Sequence, residues 1–348
     1  MPAALDGFSG TADSGPVIDW LLDADPSIRW QVMRDLLDAP EPEWSAERAK
    51  VQTEGWGARL LSYQDKDGQW AGGAFIPRGF NFQEWQNVGQ PWTATGHSLS
   101  QLREFGLDPC CDRAKRAVEL IGANSRWDHA GERYWDGEVE ECINGRLVAD
   151  GAYFGVDVSP IVERLLGERL DDGGWNCERA NGSVRSSFAT TINVLEGLLE
   201  YERATGGTPK SRQARQSGEE YLQKRNLFRR LSTGEPADEQ FLFLLHPARW
   251  HYDILRALDY FRSSAMLTSA TPDPRLGPAV DHLRSRRRAD GTWPLDWSLP
   301  GRVWFEVDDG AGKPSRWVTL QALRVLSWWG AVYDAPRADE PRGLGPPA

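Results

Sequence analysis

Apolar side chains recur with the period of an α-helix in the segment 187–201. Phe188, Ile192, Leu195 and Leu199 follow one another at spacings of four, three and four residues, which places them on one face of a helix. A second apolar stripe, which begins at Val194, lies on another face of the same segment. A helix that is apolar on two faces is predicted to be buried between neighbouring helices.

A short phrase containing a glycine and a tryptophan recurs along the chain ahead of such helices. It reads Gln-Asp-Lys-Asp-Gly-Gln-Trp at 64–70, Arg-Leu-Asp-Asp-Gly-Gly-Trp at 169–175 and Arg-Arg-Ala-Asp-Gly-Thr-Trp at 287–293. Glycine permits the backbone angles of a turn, and tryptophan supplies a large ring that packs as a wedge. The recurrence indicates a repeated supersecondary unit whose copies pack on one another.

Six buried helices are predicted, each alternating with a more polar one. They begin near Ser27, Trp92, Cys142, Ser187, Arg249 and Ser315. Strand-like alternation is nearly absent, so the fold class is predicted to be all-α. Six helical hairpins can close on themselves, which predicts a single (α/α)6 toroid over residues 16–334, with six inner helices around a central cavity. Residues 1–15 and 335–348 are predicted to be disordered because they are small, polar or rich in Pro and Gly.

Composition excludes some classes of function. The formal net charge is −11 and the isoelectric point is near 5.1, which argues against a partner such as DNA or RNA. No apolar run reaches the roughly 18–20 residues of a membrane span, although a peripheral membrane contact stays open. Four cysteines in a chain without an apolar leader predict reduced thiols in a cytoplasmic protein.

Tryptophan is unusually frequent, with 17 residues in the chain. Such an excess fits either an aromatic-lined cavity that takes an apolar small-molecule substrate or repeated structural wedges. The candidate substrate-binding rings lie at the ends of the predicted inner helices. They are Trp92, Tyr153, Phe154, Trp250, Tyr252 and Trp317. The alternative is that these rings fill the core.

The repeated phrase resembles a known family motif. Gln-x-x-x-Gly-x-Trp, complete at 64–70 and degenerate at 169–175 and 287–293, resembles the repeat of the squalene cyclase and prenyltransferase superfamily. The resemblance implies the toroid fold and a polyisoprenoid substrate whose carbocations the cavity rings would stabilise. The Asp-x-Asp-Asp acid motif of the class II cyclases does not occur in the sequence.

The resemblance also implies a metal site, because the protein prenyltransferases hold zinc at one mouth of the toroid. Here Cys142, Cys177 and His251 lie at or just before predicted inner helices, whose N-terminal ends share one rim. Sulfur and imidazole nitrogen are ligands that Zn²⁺ prefers. Asp253 is expected to complete the ligand set or orient the imidazole, and Asp253 and Cys142 are the candidate catalytic residues. Ordinary packing of buried cysteines is the alternative. The acidic run 136–141 is a further candidate for cation binding or acid catalysis, or else a charged approach to a helix N-terminus.

Three functions therefore remain open from the sequence. The first is a terpenoid cyclase-like or prenyltransferase-like enzyme that acts on a polyisoprenoid in the central cavity. The second is a zinc-dependent enzyme with a rim site and a non-isoprenoid substrate. The third is a non-catalytic toroid scaffold that binds a lipid or a partner protein.

Overall fold

A computed structural model describes residues 15–334, apart from the side chain of Glu84. Within that range the chain forms fourteen α-helices and no β-strand, so the predicted all-α class is confirmed. The predicted disordered segments lie outside the described residues, except that Gly15 already belongs to the first helix. The helices are α1 (Gly15–Leu22), α2 (Pro26–Asp35), α3 (Glu41–Ala49), α4 (Gly55–Ser62), α5 (Trp85–Val88), α6 (Thr95–Phe105), α7 (Asp112–Asn124), α8 (Glu141–Tyr153), α9 (Ser159–Gly167), α10 (Phe188–Thr205), α11 (Pro209–Gln223), α12 (Ile254–Thr268), α13 (Gly277–Ser285) and α14 (Arg316–Tyr333).

Six of these helices correspond to the predicted buried set, namely α2, α6, α8, α10, α12 and α14. Their first residues lie within five positions of the predicted starts. Each of the six contacts the next in this order, and α14 contacts α2. Helices between these six in the chain pack on members of the series, as α9 does on α8, α11 on α10 and α13 on α12. None of the helices in residues 15–334 combines the length and the apolar character that crossing a membrane requires.

The three Gly-x-Trp phrases share one set of hydrogen bonds. The indole Nε1 of each tryptophan donates to the carbonyl oxygen ten residues earlier, near the end of the preceding helix, which is α4, α9 or α13. The donor–acceptor distances are 2.9 Å for Trp70 to Leu60, 2.7 Å for Trp175 to Leu165 and 2.8 Å for Trp293 to Leu283. All three rings are fully buried, so each acts as a wedge that also satisfies a helix-end carbonyl group.

A threonine of the next buried helix, which is α6, α10 or α14, accepts a hydrogen bond from the backbone N–H of each tryptophan. The acceptors are Thr95, Thr191 and Thr319, at 3.1, 3.1 and 2.9 Å. The glycine two residues before each tryptophan has a positive φ, between 83° and 107°, which a side chain would disfavour. The phrases therefore tie α4 to α6, α9 to α10 and α13 to α14.

Candidate functional site

Helices α8 and α10 approach each other closely because glycines lie at their crossing. A Cβ atom on Gly145 would lie 2.5 Å from the carbonyl oxygen of Asn193, and one on Gly197 would lie 2.4 Å from that of Gly145. Neither position can hold a larger side chain without separating the helices. This close packing brings the N-terminal end of α8 next to the loop that enters α10.

Two cysteines meet at that place, as the sequence predicted. Cys142 is the second residue of α8, and Cys177 follows Trp175 in the loop before α10. Their sulfur atoms lie 3.2 Å apart. The hydroxyl of Thr190 lies 3.0 Å from the sulfur of Cys177, and the Cys142 sulfur donates to a carboxylate oxygen of Glu140 at 3.5 Å.

The pKa values of the two thiols are shifted in opposite directions. The hydrogen bond with Cys142 lowers the pKa of Cys177 to about 7, and the Thr190 hydroxyl contributes in the same direction. The pKa of Cys142 is raised well above its usual value, first by its hydrogen bond with Cys177 and then by burial. Cys177 therefore loses its proton more readily than an ordinary cysteine does.

Glu140, Cys142 and Cys177 can offer three ligand atoms to one ion, since these atoms all lie within 4.8 Å of one another. No other group of three potential ligands this close occurs in the part of the chain that the structure describes. Two sulfurs on a tetrahedral zinc are about 3.8 Å apart, so the observed 3.2 Å requires only a small separation of the thiols. The residues present therefore fit a zinc ion.

His251 does not join this group. Its ring stacks on Trp250 with the ring centroids 3.7 Å apart, and Trp92 contacts it edge-on. Burial lowers the pKa of His251 to about 4, so the imidazole is neutral. Its Nδ1 is buried without a hydrogen-bond partner among the described residues. The candidate ligand set thus contains Glu140, from the acidic run, where the sequence had suggested His251.

Asp253 has a structural partner. Its carboxylate accepts a hydrogen bond from the backbone N–H of Arg256 at 2.8 Å, which makes it the N-cap of α12. The side chain is fully buried, and burial raises the pKa of Asp253 to about 7. Asp253 is absent from the group of metal-ligand candidates and from the lining of the cavity described below.

A cavity of about 610 Å³ is lined by residues from all six helices of the buried series, α2, α6, α8, α10, α12 and α14. It reaches the C-terminal ends of several of them, at Gly106, Tyr153 and Arg203, whereas the two thiols lie at the N-terminal end of α8 and just before α10. Its lining carries nine arginines and five carboxylates. The arginines are Arg34, Arg48, Arg103, Arg146, Arg203, Arg249, Arg256, Arg262 and Arg324, and the acids are Asp35, Glu104, Glu196, Glu200 and Asp259.

Only two of the six predicted substrate-binding rings, Tyr153 and Trp317, line this cavity. Phe154 packs edge-on against Tyr153, and Tyr252 lies in an aromatic core cluster. Trp92 and Trp250 use their indole N–H groups on the Pro300 carbonyl and the Gln90 side chain, at 2.9 and 3.0 Å. Most of the predicted rings therefore pack as core, and charged side chains occupy much of the cavity wall.

Most of the cavity charges are organised in ion pairs. Arg324 binds Asp259 with a 2.8 Å contact from Nε, and it also bonds the side chain of Gln31 on α2, so it links α14 to α12 and α2. Arg256 binds Glu196 through two contacts of 2.7 Å and joins α12 to α10. These pairs fix inner helices relative to one another across the cavity wall.

Comparison with known proteins gives little guidance. No protein-family model matches the chain, and no curated protein matches it. A crystal structure of a protein from Actinoplanes is similar at 17% sequence identity, with a TM-score of 0.44, and the match covers 88% of this chain and 90% of that one. Likeness at that level assigns no function.

Proposed function

We propose that residues 16–334 form an (α/α)6 toroid. The order of contacts among α2, α6, α8, α10, α12 and α14, which returns from α14 to α2, supports a closed ring. The shared hydrogen bonds of the three Gly-x-Trp phrases support a repeated unit. A cavity lined by all six helices is what the centre of such a ring would contain.

We propose further that the protein is a zinc-dependent enzyme that acts on a polar substrate. The observation that carries this proposal is the meeting of the Cys142 and Cys177 sulfurs with the Glu140 carboxylate within 4.8 Å. Three protein ligands and an open fourth position are typical of catalytic zinc sites, whereas structural sites have four. Glu140 is exposed, so a substrate has access to this side of the group.

The side chains of this chain would hold and orient the ion. Cys142 and Cys177 supply sulfur ligands, and Glu140 supplies an oxygen ligand. The Thr190 hydroxyl, 3.0 Å from the Cys177 sulfur, would fix the direction of that ligand from outside the coordination sphere. A zinc ion bound there would supply Lewis-acid polarisation of a substrate carbonyl or phosphoryl group. Metal-assisted hydrolysis or group transfer is therefore the reaction class that we assign.

A polyisoprenoid substrate, expected from the resemblance, has less support than a polar one. The wall of the central cavity includes nine arginines, and an apolar chain would have to desolvate those that carry no acidic partner. A lipid-binding scaffold meets the same objection. The cavity therefore favours a polar ligand over an apolar one. A polar substrate at the zinc site follows separately, because a bound zinc ion would polarise a carbonyl or phosphoryl group.

The test is the metal content of the untagged protein, measured by mass spectrometry after expression with added zinc. We expect about one zinc per chain, with most of it lost in Cys177→Ser and in Cys142→Ser. Cys110→Ser is the matched control, because Cys110 is exposed and lies outside the group. A wild-type protein that neither contains zinc nor takes it up on titration would overturn the proposal.

A further inference from the structure

Two arginines in the wall of the central cavity are buried without an acidic partner. Arg146 and Arg249 are only 8% and 5% exposed. No carboxylate that the structure describes, which leaves out Glu84, lies within 4.0 Å of either guanidinium group, although Arg103 and Arg256 nearby each form an ion pair. A buried charge that lacks a partner is costly, so a protein that keeps two of them usually uses them.

Most of the hydrogen-bonding capacity of these two side chains remains free. A guanidinium group carries five N–H donors. The structure gives one side-chain hydrogen bond to each: Arg146 donates to the backbone carbonyl of Arg249, and Arg249 makes a long 3.5 Å contact with the amide oxygen of Gln101. Arg249 also lies over the ring of Trp92, with its Cζ 5.5 Å from the centroid. Both side chains line the cavity, so the remaining donors are available to a ligand there.

The charge of the cavity is opposite to that of the whole chain. The protein carries a formal net charge of −11, yet arginines outnumber carboxylates by nine to five in the cavity lining. Glu104, which also lines the cavity, is the acidic group whose field acts most strongly on Arg146 and Arg249, but it forms no ion pair with them. A local excess of positive charge in an acidic protein attracts anions to this cavity.

We propose that Arg146 and Arg249 bind the oxyanion group, phosphate or carboxylate, of a small anionic ligand in the central cavity. Planar guanidinium groups recognise such groups through paired, charge-assisted hydrogen bonds. A cavity of about 610 Å³ has the size of an ordinary small-molecule site. Arg48, which bonds the hydroxyl of Tyr153 at 2.8 Å and has no acidic partner within 4.0 Å in the described chain, adds positive charge to the same wall.

The acidities of the two arginines agree with this role. Burial lowers the pKa of Arg249 to about 10, and the charge of Arg146 acts in the same direction. Burial also lowers the pKa of Arg146. The two positive charges therefore destabilise each other. A bound anion would offset this repulsion for both guanidinium groups. The arginine site does not include Cys142 or Cys177, so the anion-binding proposal can be tested independently of the zinc proposal.

The decisive variant is Arg249→Met, which keeps the length of the side chain and removes its charge. It removes only the long contact with Gln101 and the contact of the guanidinium with the Trp92 ring, so an anion-binding role and a structural role predict different results. If Arg249 binds a ligand, the variant binds the anion more weakly. Its melting temperature in anion-free buffer is then no lower than that of the wild type, because a buried unpaired charge has been removed. If Arg249 instead stabilises the fold, the variant melts at a lower temperature than the wild type.

The probes are inorganic phosphate, pyrophosphate and citrate, titrated by calorimetry in a chloride-poor buffer. We expect at least one to bind the wild type, and Arg249→Met to weaken that binding about tenfold or more, since a charge-assisted hydrogen bond is lost. Arg249→Lys retains the charge and is expected to recover part of the affinity. Arg116→Met removes the same charge from the exposed face of α7 and is expected to bind like the wild type.

The choice among the probes identifies the ligand class. Preference for phosphate or pyrophosphate indicates a phosphorylated ligand, and preference for citrate indicates a carboxylate. The proposal fails if the wild type binds none of the three at millimolar concentration. It also fails if Arg249→Met and Arg249→Lys bind as tightly as the wild type.

Discussion

Replacing Thr191 by valine tests how each Gly-x-Trp phrase is held to its inner helix. The Thr191 hydroxyl accepts a hydrogen bond from the backbone N–H of Trp175 at 3.1 Å, and both residues are completely buried. Valine has nearly the shape of threonine, so the substitution removes the acceptor without opening a cavity. The Trp175 N–H is then buried without a partner.

The expected cost follows from that single group. A buried donor that loses its partner destabilises a protein by about 1–3 kcal/mol. The carbonyl of Trp175 keeps its 2.9 Å hydrogen bond from the backbone N–H of Ser187, so it adds no further cost. We therefore expect Thr191→Val to lower the free energy of unfolding by about 1–3 kcal/mol.

Equilibrium unfolding in urea measures this difference, provided that the slope of the transition is unchanged. Thr268→Val is the matched control, because Thr268 is exposed near the end of α12 and bonds only a carbonyl of its own helix. A loss of stability in Thr191→Val no larger than that in Thr268→Val would refute the argument. The equivalent variants at Thr95 and Thr319 extend the test to the other two phrases.

Two further predictions concern the pair Cys142 and Cys177 and the contact between the helices α8 and α10 beside it. In metal-free protein, alkylation of Cys177 by iodoacetamide should rise with pH around a midpoint near 7, since the thiolate is the nucleophile. Cys142→Ala should move that midpoint to higher pH, because the hydrogen bond that most lowers the pKa is lost; an unchanged midpoint would contradict this cause. Gly197→Ala should lower the free energy of unfolding by about 1–3 kcal/mol and weaken zinc binding, because the added methyl group forces α8 away from α10. Gly167→Ala, where nothing lies within 4 Å of the added atom, should be neutral or stabilising, so equal losses in the two variants would count against the close helix contact.

The six buried helices could be predicted because apolar residues recur along them at helical spacing. The starts predicted near Ser187 and Ser315 lie one residue before α10 and α14. In the structure both serines are N-caps, which is the local signal that ends the preceding loop. The meeting of Cys142 with Cys177 also followed from the sequence, because both precede or begin neighbouring inner helices.

The position of His251 could not be predicted from the sequence in the same way. The helix was predicted to start near Arg249, but Arg249 has a positive φ of 54°, and α12 begins only at Ile254 after the cap at Asp253. His251 therefore belongs to a loop, where stacking on Trp250 decides its direction. The cap signature of Asp253 was the available signal for the later start.

The sequence did not lead to a prediction of the charged cavity, for a related reason. The apolar stripes of an inner helix show which faces are packed, but they do not show which residues of the remaining face point to the centre. Arg146 stands just before the buried run Leu147–Ala152 in α8, where an isolated arginine in a buried stretch was a usable signal. Its lack of an acidic partner depends on contacts with distant segments, such as Arg249, that only the folded chain brings together.

X-ray absorption at the zinc edge tests the central claim most directly. Wild-type protein loaded with one equivalent of zinc should show two sulfur ligands at about 2.3 Å together with lighter oxygen or nitrogen ligands. Cys177→Ser should lose one of the two sulfurs, and Glu140→Gln should keep both. A zinc environment without sulfur, or one that is the same in wild type and Cys177→Ser, would contradict the assignment of Cys142, Cys177 and Glu140 as the metal site.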